Sequence, residues 1–287
     1  MRLLVAGGDR VDAGKTTFVV GLAARLVGDA EATAPPAAGD DVAAFKPRAG
    51  NDVWFDHDDV RAATADGRLY GKDVRRLTAV AGGVPEEHNP VHRLWRPTPG
   101  RTGMLGDPNR TFLLDRVTTP DGTAWVRNAN VDRSDLPASV RQKLPVADAR
   151  AVESVAAFNE TMRELHLSAL ERVADRIDGT DAALVESYAD IADPLPDADV
   201  GYDAVAVVDP GRARVFDGPR WEAARRTAAG SDAEGQLEER VERVAGLVEP
   251  VSTHSLPALT GEERADPARI AEANGEAYES LLSHARD

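Results

Sequence analysis

The chain has 287 residues, 42% of them hydrophobic, enough for one large domain or two small ones. Asp and Glu number 49 against 34 Lys and Arg, and this net charge of −15 argues against nucleic acid or anionic membranes as partners. The absence of cysteine excludes disulfides, cysteine nucleophiles and iron–sulfur clusters. No apolar run approaches the about 20 residues of a membrane span and no signal peptide is recognisable, so we expect a soluble cytoplasmic protein.

Arg is far more frequent than Lys in this chain, and Asp is more frequent than Glu. The basic residues are 30 Arg and four Lys, and the acidic residues are 30 Asp and 19 Glu. An acidic, lysine-poor surface is typical of a halophilic protein, because molar salt screens its self-repulsion. GC-rich codon usage also favours Arg, Asp and Ala, and both explanations stay open. Two of the four lysines, Lys15 and Lys46, stand in the two clearest motifs of the chain.

The N-terminal segment predicts a strand–loop–helix–strand unit. Residues 2–8 form an apolar run that ends in two glycines, and residues 14–27 have apolar side chains at helical spacing. Residues 41–46 form a second strand, which Pro47 ends. Such a unit places its strands parallel, so the sequence predicts an α/β fold with a parallel sheet flanked by helices.

The rest of the chain predicts further elements of the same fold. They are polar helices over 51–83 with a break at Gly67, a loop over 85–110, a β-hairpin of 111–117 and 123–128, a long helix over 147–177, buried strands over 182–186 and 202–208, a helix over 237–247, a short strand over 251–253 and a closing helix over 267–284. No internal repeat is visible. We therefore expect a single domain over 1–287, with an inserted hairpin region at 100–135.

The junction of the first strand and helix has the pattern of a phosphate-binding loop. Backbone N–H groups at a helix start attract an anion, Lys15 supplies a charge for the β- and γ-phosphates, and Thr16 offers a hydroxyl to Mg²⁺. Five residues separate Gly8 from Gly14, one more than in the usual pattern. The alternative is a plain glycine turn with a solvated lysine. The predicted nucleotide-binding residues are Gly8, Asp12, Ala13, Gly14, Lys15, Thr16 and Thr17.

Several landmarks follow the loop in a characteristic order over residues 1–190. They are Asp12 two residues before the second glycine, Lys46-Pro47 at the end of the second strand, Asp73 at a helix start with Asn89-Pro90 after it, Pro-Thr-Pro at 97–99, and Val185-Glu186 at the end of a later strand. In these landmarks the chain resembles dethiobiotin synthetase and its relatives, which include the cobyrinic acid a,c-diamide synthases.

The resemblance implies a P-loop NTPase that uses ATP and Mg²⁺ and forms a homodimer. It implies that Lys15 and the loop N–H groups hold the ATP phosphates. It also implies that Lys46 stabilises charge on the substrate, so that Lys15 and Lys46 are the catalytic residues. The metal ligands that it implies are Thr16, Asp73 and Glu186. Three oxygen ligands on separate elements suit Mg²⁺, which keeps several of its waters.

The substrate half of the family pattern is not retained. Arg10 stands where the family has an Asp, and no hydroxyl residue follows Lys46-Pro47. Residues 187–190 read Ser-Tyr-Ala-Asp in place of a glycine-rich run. The family's substrate is therefore not assigned to this chain. Because the chain has no cysteine, glutamine-dependent amidation by the chain alone is also excluded.

Residues 51–59 contain five ionisable and two aromatic side chains. They form either a substrate or metal loop, with Asp56 and His57 as further metal or base candidates, or a solvated acidic segment. In the second case Trp54 and Phe55 would anchor the segment to the core.

Two other groups of residues leave alternatives open. His92, Arg93 and Arg96 either bind an anionic substrate or pair with surface acids, and pairing is the favoured alternative. Residues 209–212 either approach the base of a nucleotide or form a plain turn, and the turn is favoured.

Two functions of different classes fit these patterns. The first is an ATP- and Mg²⁺-dependent, ligase-like enzyme that activates a carboxylate or carbamate of a small molecule. The second is a nucleotide-dependent regulatory or switch ATPase or GTPase that acts on a protein partner. Lys46-Pro47 favours the enzyme, because the switches lack this motif and carry an additional early lysine where this chain has Asp9-Arg10.

Overall fold

A computed structural model of the chain describes residues 1–8, 13–33, 42–195, 198, 200–229 and 238–286. Its strands are β1 (Arg2–Gly7), β2 (Val42–Phe45), β3 (Arg48–Asp52), β4 (Val91–Thr102), β5 (Pro108–Thr119), β6 (Gly122–Asn128), β7 (Arg150–Val152), β8 (Ala182–Glu186), β9 (Ala204–Asp209), β10 (Arg212–Asp217) and β11 (Ser252–Ser255). Its helices are α1 (Lys15–Thr33), α2 (His57–Ala65), α3 (Lys72–Ala81), α4 (Pro85–His88), α5 (Ala138–Lys143), α6 (Val155–Thr161), α7 (Ser168–Asp178), α8 (Gly218–Ala228), α9 (Val241–Ala245), α10 (Pro267–Ala273) and α11 (Gly275–His284). A π-helical turn, Met162–Leu167, joins α6 to α7.

The chain divides into two compact units. The first contains Met1–Pro47, Arg76–Gly83 and Ala174–Asp287, and the second contains Arg48–Arg75 and Val84–Val173. The structure differs here from the expected single domain with an insertion at 100–135. The second unit extends well beyond that hairpin and has a sheet of its own.

The first unit contains a six-stranded sheet of order β11-β10-β9-β1-β8-β2. The strands β9, β1, β8 and β2 run parallel, as the N-terminal strand–helix–strand pattern predicts. The strands β10 and β11 are antiparallel additions at one side, so the sheet is mixed and the expected parallel arrangement holds for the other four strands. The four parallel strands end at one edge, which brings the residues that follow them close together.

Burial on both faces explains the central strands of this sheet. Leu3, Leu4 and Val5 in β1 are fully buried, as expected for a parallel strand covered by helices on both sides. Helix α1 also packs closely against α10. A Cβ atom at Gly21 would lie 2.5 Å from Ile270 Cγ2, so the absence of a side chain at Gly21 permits this approach.

The second unit contains a five-stranded sheet of order β3-β4-β5-β6-β7. The strands β4, β5 and β6 form an antiparallel meander, and β3 and β7 pair parallel at its two edges. The predicted hairpin is confirmed as β5 and β6. Aromatic residues pack beside it, with the rings of Phe112 and Phe158 5.6 Å apart.

Two predictions for the second unit are wrong. Residues 85–110 were expected to be a loop, but they include α4 and the long strand β4. Pro99 is accommodated there because the pairing of β4 with β5 shifts register between Pro97 and Thr102, whereas Pro97 remains paired with Arg110. The long helix begins later than predicted. Residues before it form β7, and Ser154 caps α6 by accepting a hydrogen bond from Ala157 N at 3.2 Å.

The molecule is thus an α/β protein with mixed sheets and flanking helices. In the part of the chain that the structure describes, no helix combines the length and the apolar composition that crossing a membrane requires.

Candidate functional site

The candidate site lies in the first unit, where three neighbouring parallel strands end. Strand β1 ends at Gly7, β2 is followed by Lys46, and β8 ends at Glu186. Val5 is paired with Glu186, and Phe45 is paired with Val185. The registers therefore place the three strand ends side by side, at the edge where open α/β sheets bind their ligands.

Two described glycines, Gly8 and Gly14, flank the middle of the loop between β1 and α1. Gly14 has a φ of +88°, a conformation that favours glycine, and Gly14 O accepts the hydrogen bond from Phe18 N that begins α1. A Cβ atom at Gly8 would lie 1.7 Å from Asp209 Oδ1, so a side chain there would displace the Asp209 carboxylate. The predicted contact residue Asp12 lies outside the described residues, as do residues 9–11.

Glu186 connects the motifs that the sequence analysis treats separately. Its side chain is completely buried, and Oε1 accepts hydrogen bonds from Thr16 Oγ1 and Lys46 Nζ, each at 2.7 Å. Glu186 Oε2 is buried and has no hydrogen-bond partner among the described residues. Since buried carboxylate oxygens are normally satisfied, this oxygen marks a position that suits a cation or a hydrogen-bond donor.

Lys46 is 6% exposed and forms an ion pair with Glu186. The sequence analysis expects Lys46 beside a substrate and Glu186 beside a metal, and it does not predict their mutual contact. The contact follows from strand order, because β2 is the direct neighbour of β8.

Lys15 is also largely buried, with 8% of its surface exposed. Its ammonium donates a hydrogen bond to Ala189 O at 2.8 Å. The side chain folds back over the end of β1, since a Cβ atom at Gly7 would lie 2.5 Å from Lys15 Nζ. Gly7 and Ala189 are therefore site residues that the sequence analysis misses.

A positive φ of 45° at Ala189 is unusual for a residue with a side chain. In the sequence, the one indication of this backbone conformation comes from the resemblance. The family that the chain resembles has a glycine-rich run at these positions, after its strand-end Glu. A glycine in such a run adopts this conformation without strain.

The segment after β8 is held in place by hydrogen bonds and ion pairs. Ser187 N donates to Val5 O at 2.9 Å, and Ser187 Oγ donates to Ile191 O at 2.6 Å. Asp190 accepts two hydrogen bonds from Arg240, at 2.5 and 2.6 Å. The carbonyl of Ala189 is thus presented to Lys15 from an anchored segment.

Asp193 anchors the far end of the same segment. Burial raises the pKa of Asp193, although the hydrogen bond from Leu195 N and the charge of Arg225 act in the opposite direction. Tyr202 donates a hydrogen bond to Asp193 Oδ1 at 3.2 Å, and Arg225 Nε lies 3.4 Å from Asp193 Oδ2. These contacts tie this end of the segment to Tyr202 and Arg225.

Two further predicted residues of the site, Thr17 and Asp73, have known places in the fold. Thr17 follows Thr16 in α1, and Arg76 Nη1 lies 3.5 Å from Thr17 Oγ1. Asp73 stands in the first turn of α3, as predicted, but in the stretch of α3 that belongs to the second unit. Its role as a metal ligand stays a prediction.

The segment 51–59 belongs to the second unit, and it contacts the core of that unit through Val53 and not through its aromatic rings. Trp54 and Phe55 are 75% and 81% exposed, so the expected anchoring role of these rings is wrong. Asp56 accepts a hydrogen bond from Asp52 N at 2.8 Å, and His57 begins α2. The part of Asp56 and His57 in a substrate or metal loop stays a prediction.

The basic cluster after Asn89-Pro90 consists of separate side chains. His92 Nδ1 contacts Asn89 Oδ1 at 3.0 Å, Arg93 pairs with Asp115, and Arg96 Nη1 lies 3.7 Å from Asp135. Arg96 pairs with a surface acid, as the favoured alternative expects, whereas the partner of Arg93 is the fully buried Asp115.

The segment Asp209-Pro210-Gly211-Arg212 is the turn between β9 and β10. Gly211 has a φ of +78°, and Arg212 Nη2 lies 2.7 Å from Asp209 Oδ2. The turn is therefore confirmed, and an approach of this segment to the base of a nucleotide stays a prediction.

The residues at the strand ends fit a magnesium ion that also depends on water and phosphate. Within the described ranges, no group of three or more His, Asp or Glu is arranged to hold a metal ion. Thr16 Oγ1 and the unpartnered Glu186 Oε2 are the hard oxygen ligands that Mg²⁺ prefers. Few protein ligands are typical of Mg²⁺ at nucleotide sites, because phosphates and waters complete its octahedron.

Comparison of the chain with protein-family models, with curated proteins and with solved structures finds no match. The fold and site define an α/β protein with two lysines, a threonine and a buried glutamate at its parallel-strand edge. A function must therefore be inferred from the chemistry of these side chains.

Proposed function

We propose that the chain is an ATP- and Mg²⁺-dependent P-loop enzyme that activates a carboxylate or carbamate of a small molecule. The activation would be ligase-like, through a mixed phosphate anhydride. The observation that supports this proposal is the joining of Thr16, Lys46 and Glu186 by two 2.7 Å hydrogen bonds beside the start of α1.

The start of α1 supplies the phosphate-binding half of the proposed site. The first N–H groups of a helix point outward without intrahelical partners, and the helix dipole favours an anion there. Lys15, the first residue of α1, would exchange the carbonyl of Ala189 for phosphate oxygens. This exchange gives the ammonium charge-assisted hydrogen bonds, which are stronger than its bond to a neutral carbonyl.

Thr16 and Glu186 supply the metal-binding half. When bound, Mg²⁺ would neutralise part of the phosphate charge and hold the β- and γ-phosphates in one orientation. Thr16 contributes a hydroxyl and Glu186 a full negative charge. Glu186 also orients Thr16 Oγ1, whose proton it accepts in a hydrogen bond.

Lys46 distinguishes a ligase-like reaction from simple hydrolysis. Its ammonium lies at the strand edge next to β8 and would orient a carboxylate or carbamate towards the γ-phosphate. It would also stabilise the charge on the phosphoryl group, as the bond to the substrate oxygen forms and the bond to the β-phosphate breaks to release ADP. Positioning and charge stabilisation account for most of the catalysis in phosphoryl transfer, so no protein nucleophile is needed. The implied partners are a nucleotide, one small-molecule substrate and a second copy of the chain.

A regulatory or switch ATPase or GTPase is the second candidate. The contact between Lys15 and Ala189 favours it, because Ala189 lies in the anchored segment that reaches Arg240 through Asp190. A phosphate that draws Lys15 away from Ala189 would alter this segment. Such a coupling could report the nucleotide state to a protein partner.

An assay of nucleotide binding and hydrolysis separates the two candidates. The protein would be incubated at high KCl with Mg²⁺ and with ATP or GTP, against amines and carboxylates with and without bicarbonate. Hydrolysis that requires one small molecule supports the ligase-like enzyme. Slow hydrolysis that no small molecule changes supports the switch, and failure to bind either nucleotide contradicts both candidates.

A further inference from the structure

The two oxygens of the Glu186 carboxylate are used unequally. Oε1 accepts both hydrogen bonds, from Thr16 and Lys46, whereas Oε2 has no partner among the described residues. If Lys46 only neutralised the buried carboxylate, we would expect Oε2 to have a hydrogen-bond donor as well. The unequal use indicates that the carboxylate is shaped to receive a further cation.

Lys46 and a divalent cation would compete for the same charge. The ammonium lies 2.7 Å from Glu186 Oε1, in a buried position where like charges repel strongly because little water screens them. Thr16 Oγ1, the other oxygen suited to a metal, also contacts Oε1. Both features place Lys46 directly beside the oxygens that a divalent cation needs.

We propose that Lys46 is a metal gate, whose ammonium holds Glu186 in the nucleotide-free protein and suppresses divalent cation binding until nucleotide arrives. The phosphates then supply negative charge and further ligands, and Lys46 moves its ammonium from Glu186 to an anionic oxygen. Lys46 thereby couples metal entry to nucleotide entry. This inference rests on the proposed function and adds a regulatory step at the same site.

The gate predicts a specific gain of function. In Lys46→Met the side chain keeps its length but loses its charge, so Glu186 becomes available to a metal without nucleotide. We expect Mn²⁺, used as a spectroscopic substitute for Mg²⁺, to bind nucleotide-free Lys46→Met about ten- to a hundredfold more tightly than wild type. The measurement is Mn²⁺ electron paramagnetic resonance at high KCl, which reports free Mn²⁺ without any turnover.

Three variants control for effects of charge and folding. Lys46→Arg keeps the charge and should bind Mn²⁺ as weakly as wild type. The double variant Lys46→Met/Glu186→Gln should lose the gain, because the metal ligand is removed. Lys15→Met removes one positive charge from the same edge without removing the partner of Glu186. An equal gain in Lys15→Met would show a general charge effect and would overturn the proposal.

Wild-type protein provides a test that does not depend on the folding of any variant. Its Mn²⁺ affinity should rise about tenfold or more when a non-hydrolysable ATP analogue is added. Equal Mn²⁺ affinity with and without the analogue would overturn the gate. If neither ATP nor GTP binds, the proposed function fails, while a gain in Lys46→Met that depends on Glu186 still supports competition at the carboxylate. If nucleotide and Mg²⁺ bind together but Lys46→Met gains nothing, the gate alone fails.

Discussion

The two units each contain a buried acid–base pair, and the two pairs differ in how the carboxylate is used. In the second unit Arg93 donates to both oxygens of Asp115, each at 2.7 Å. In the first unit Lys46 and Thr16 both donate to one oxygen of Glu186. A carboxylate with both oxygens paired is complete as a structural element, whereas one with an unpaired buried oxygen is suited to a ligand.

The surroundings of the two pairs support the same distinction. The guanidinium of Arg93 lies 5.1 Å from the ring centroid of Phe112 and 4.9 Å from that of Phe158. These rings fix the arginine within the core of the second unit. Lys46 instead lies at the end of its strand, where the sheet edge carries Lys15 and Thr16. We therefore expect the Arg93–Asp115 pair to stabilise the fold and the Lys46–Glu186 pair to take part in ligand binding.

The largest expected effect is on stability, from removal of the carboxylate in the second unit. Asp115→Ala leaves the Arg93 charge without its bidentate partner, and we expect the free energy of unfolding to fall by about 3–5 kcal/mol. Urea denaturation measures this loss. Asp135→Ala is the matched control, because its ion pair with Arg96 is more exposed and should contribute about 1 kcal/mol or less. Equal losses in the two variants would contradict the structural role of Asp115.

The corresponding change in the first unit should act on turnover. Lys46→Ala should preserve ATP binding but reduce turnover by about 10²–10³-fold, because an oriented charge at the reacting oxygen is lost. Steady-state kinetics with the activating substrate, together with ATP titration, separates the two effects. A fully active Lys46→Ala protein would contradict the proposed catalytic role of Lys46.

The buried His166, which lies beside Asp115, should also make the free energy of unfolding depend on pH. His166 Nε2 lies 3.4 Å from Asp115 Oδ2, and burial lowers the pKa of His166 to about 4, with Arg93 and Arg48 acting in the same direction and Asp115 opposing. The unfolded state then binds more protons between pH 6.5 and 4, so stability falls as the pH falls through this window, by about 3 kcal/mol in total.

Replacement of the imidazole tests this dependence. The variant His166→Gln should lose the part of the pH dependence that arises between pH 6.5 and 4. Urea denaturation of both proteins at pH 7, 6, 5 and 4 measures the difference. Parallel stability profiles of wild type and His166→Gln would assign the acid sensitivity to other groups.

A smaller effect is expected at Asp73. The family resemblance predicts that Asp73→Asn weakens Mg²⁺-dependent nucleotide binding by about tenfold, because one negative ligand becomes neutral. Titration with ATP in the presence of Mg²⁺ and of EDTA measures the metal-dependent part. If Asp73→Asn binds nucleotide like wild type, Asp73 is not a metal ligand, and Thr16 and Glu186 remain as the proposed ligands.

The sequence predicts the position of the candidate site well because position follows from strand order along the chain. Lys15, Thr16, Lys46 and Glu186 each stand at the end of a predicted strand or the start of a helix, and parallel strands bring these positions to one edge. The contact between Lys46 and Glu186 could not be predicted, because it depends on β2 lying beside β8 in space. The role of Ala189 depends on a backbone conformation that an alanine does not signal.

The second unit is less predictable for a physical reason. Glycine and proline suggest a loop over 85–110, yet β4 contains Pro97, which is paired with Arg110, and Pro99, which lies in a register shift. The rings of Trp54 and Phe55 suggest core packing, but both are exposed. Local composition therefore fails where long-range strand pairing determines the structure.

The central claim is that the strand edge of the first unit binds a nucleotide through Lys15. The most direct measurement is calorimetric titration of wild type and Lys15→Ala with ATP at high KCl and saturating Mg²⁺, with circular dichroism to confirm that both are folded. We expect wild type to bind and Lys15→Ala to lose about tenfold to a hundredfold in affinity, since charge-assisted hydrogen bonds to phosphate are removed. Equal affinities of the two folded proteins, or no binding by wild type, would contradict the claim.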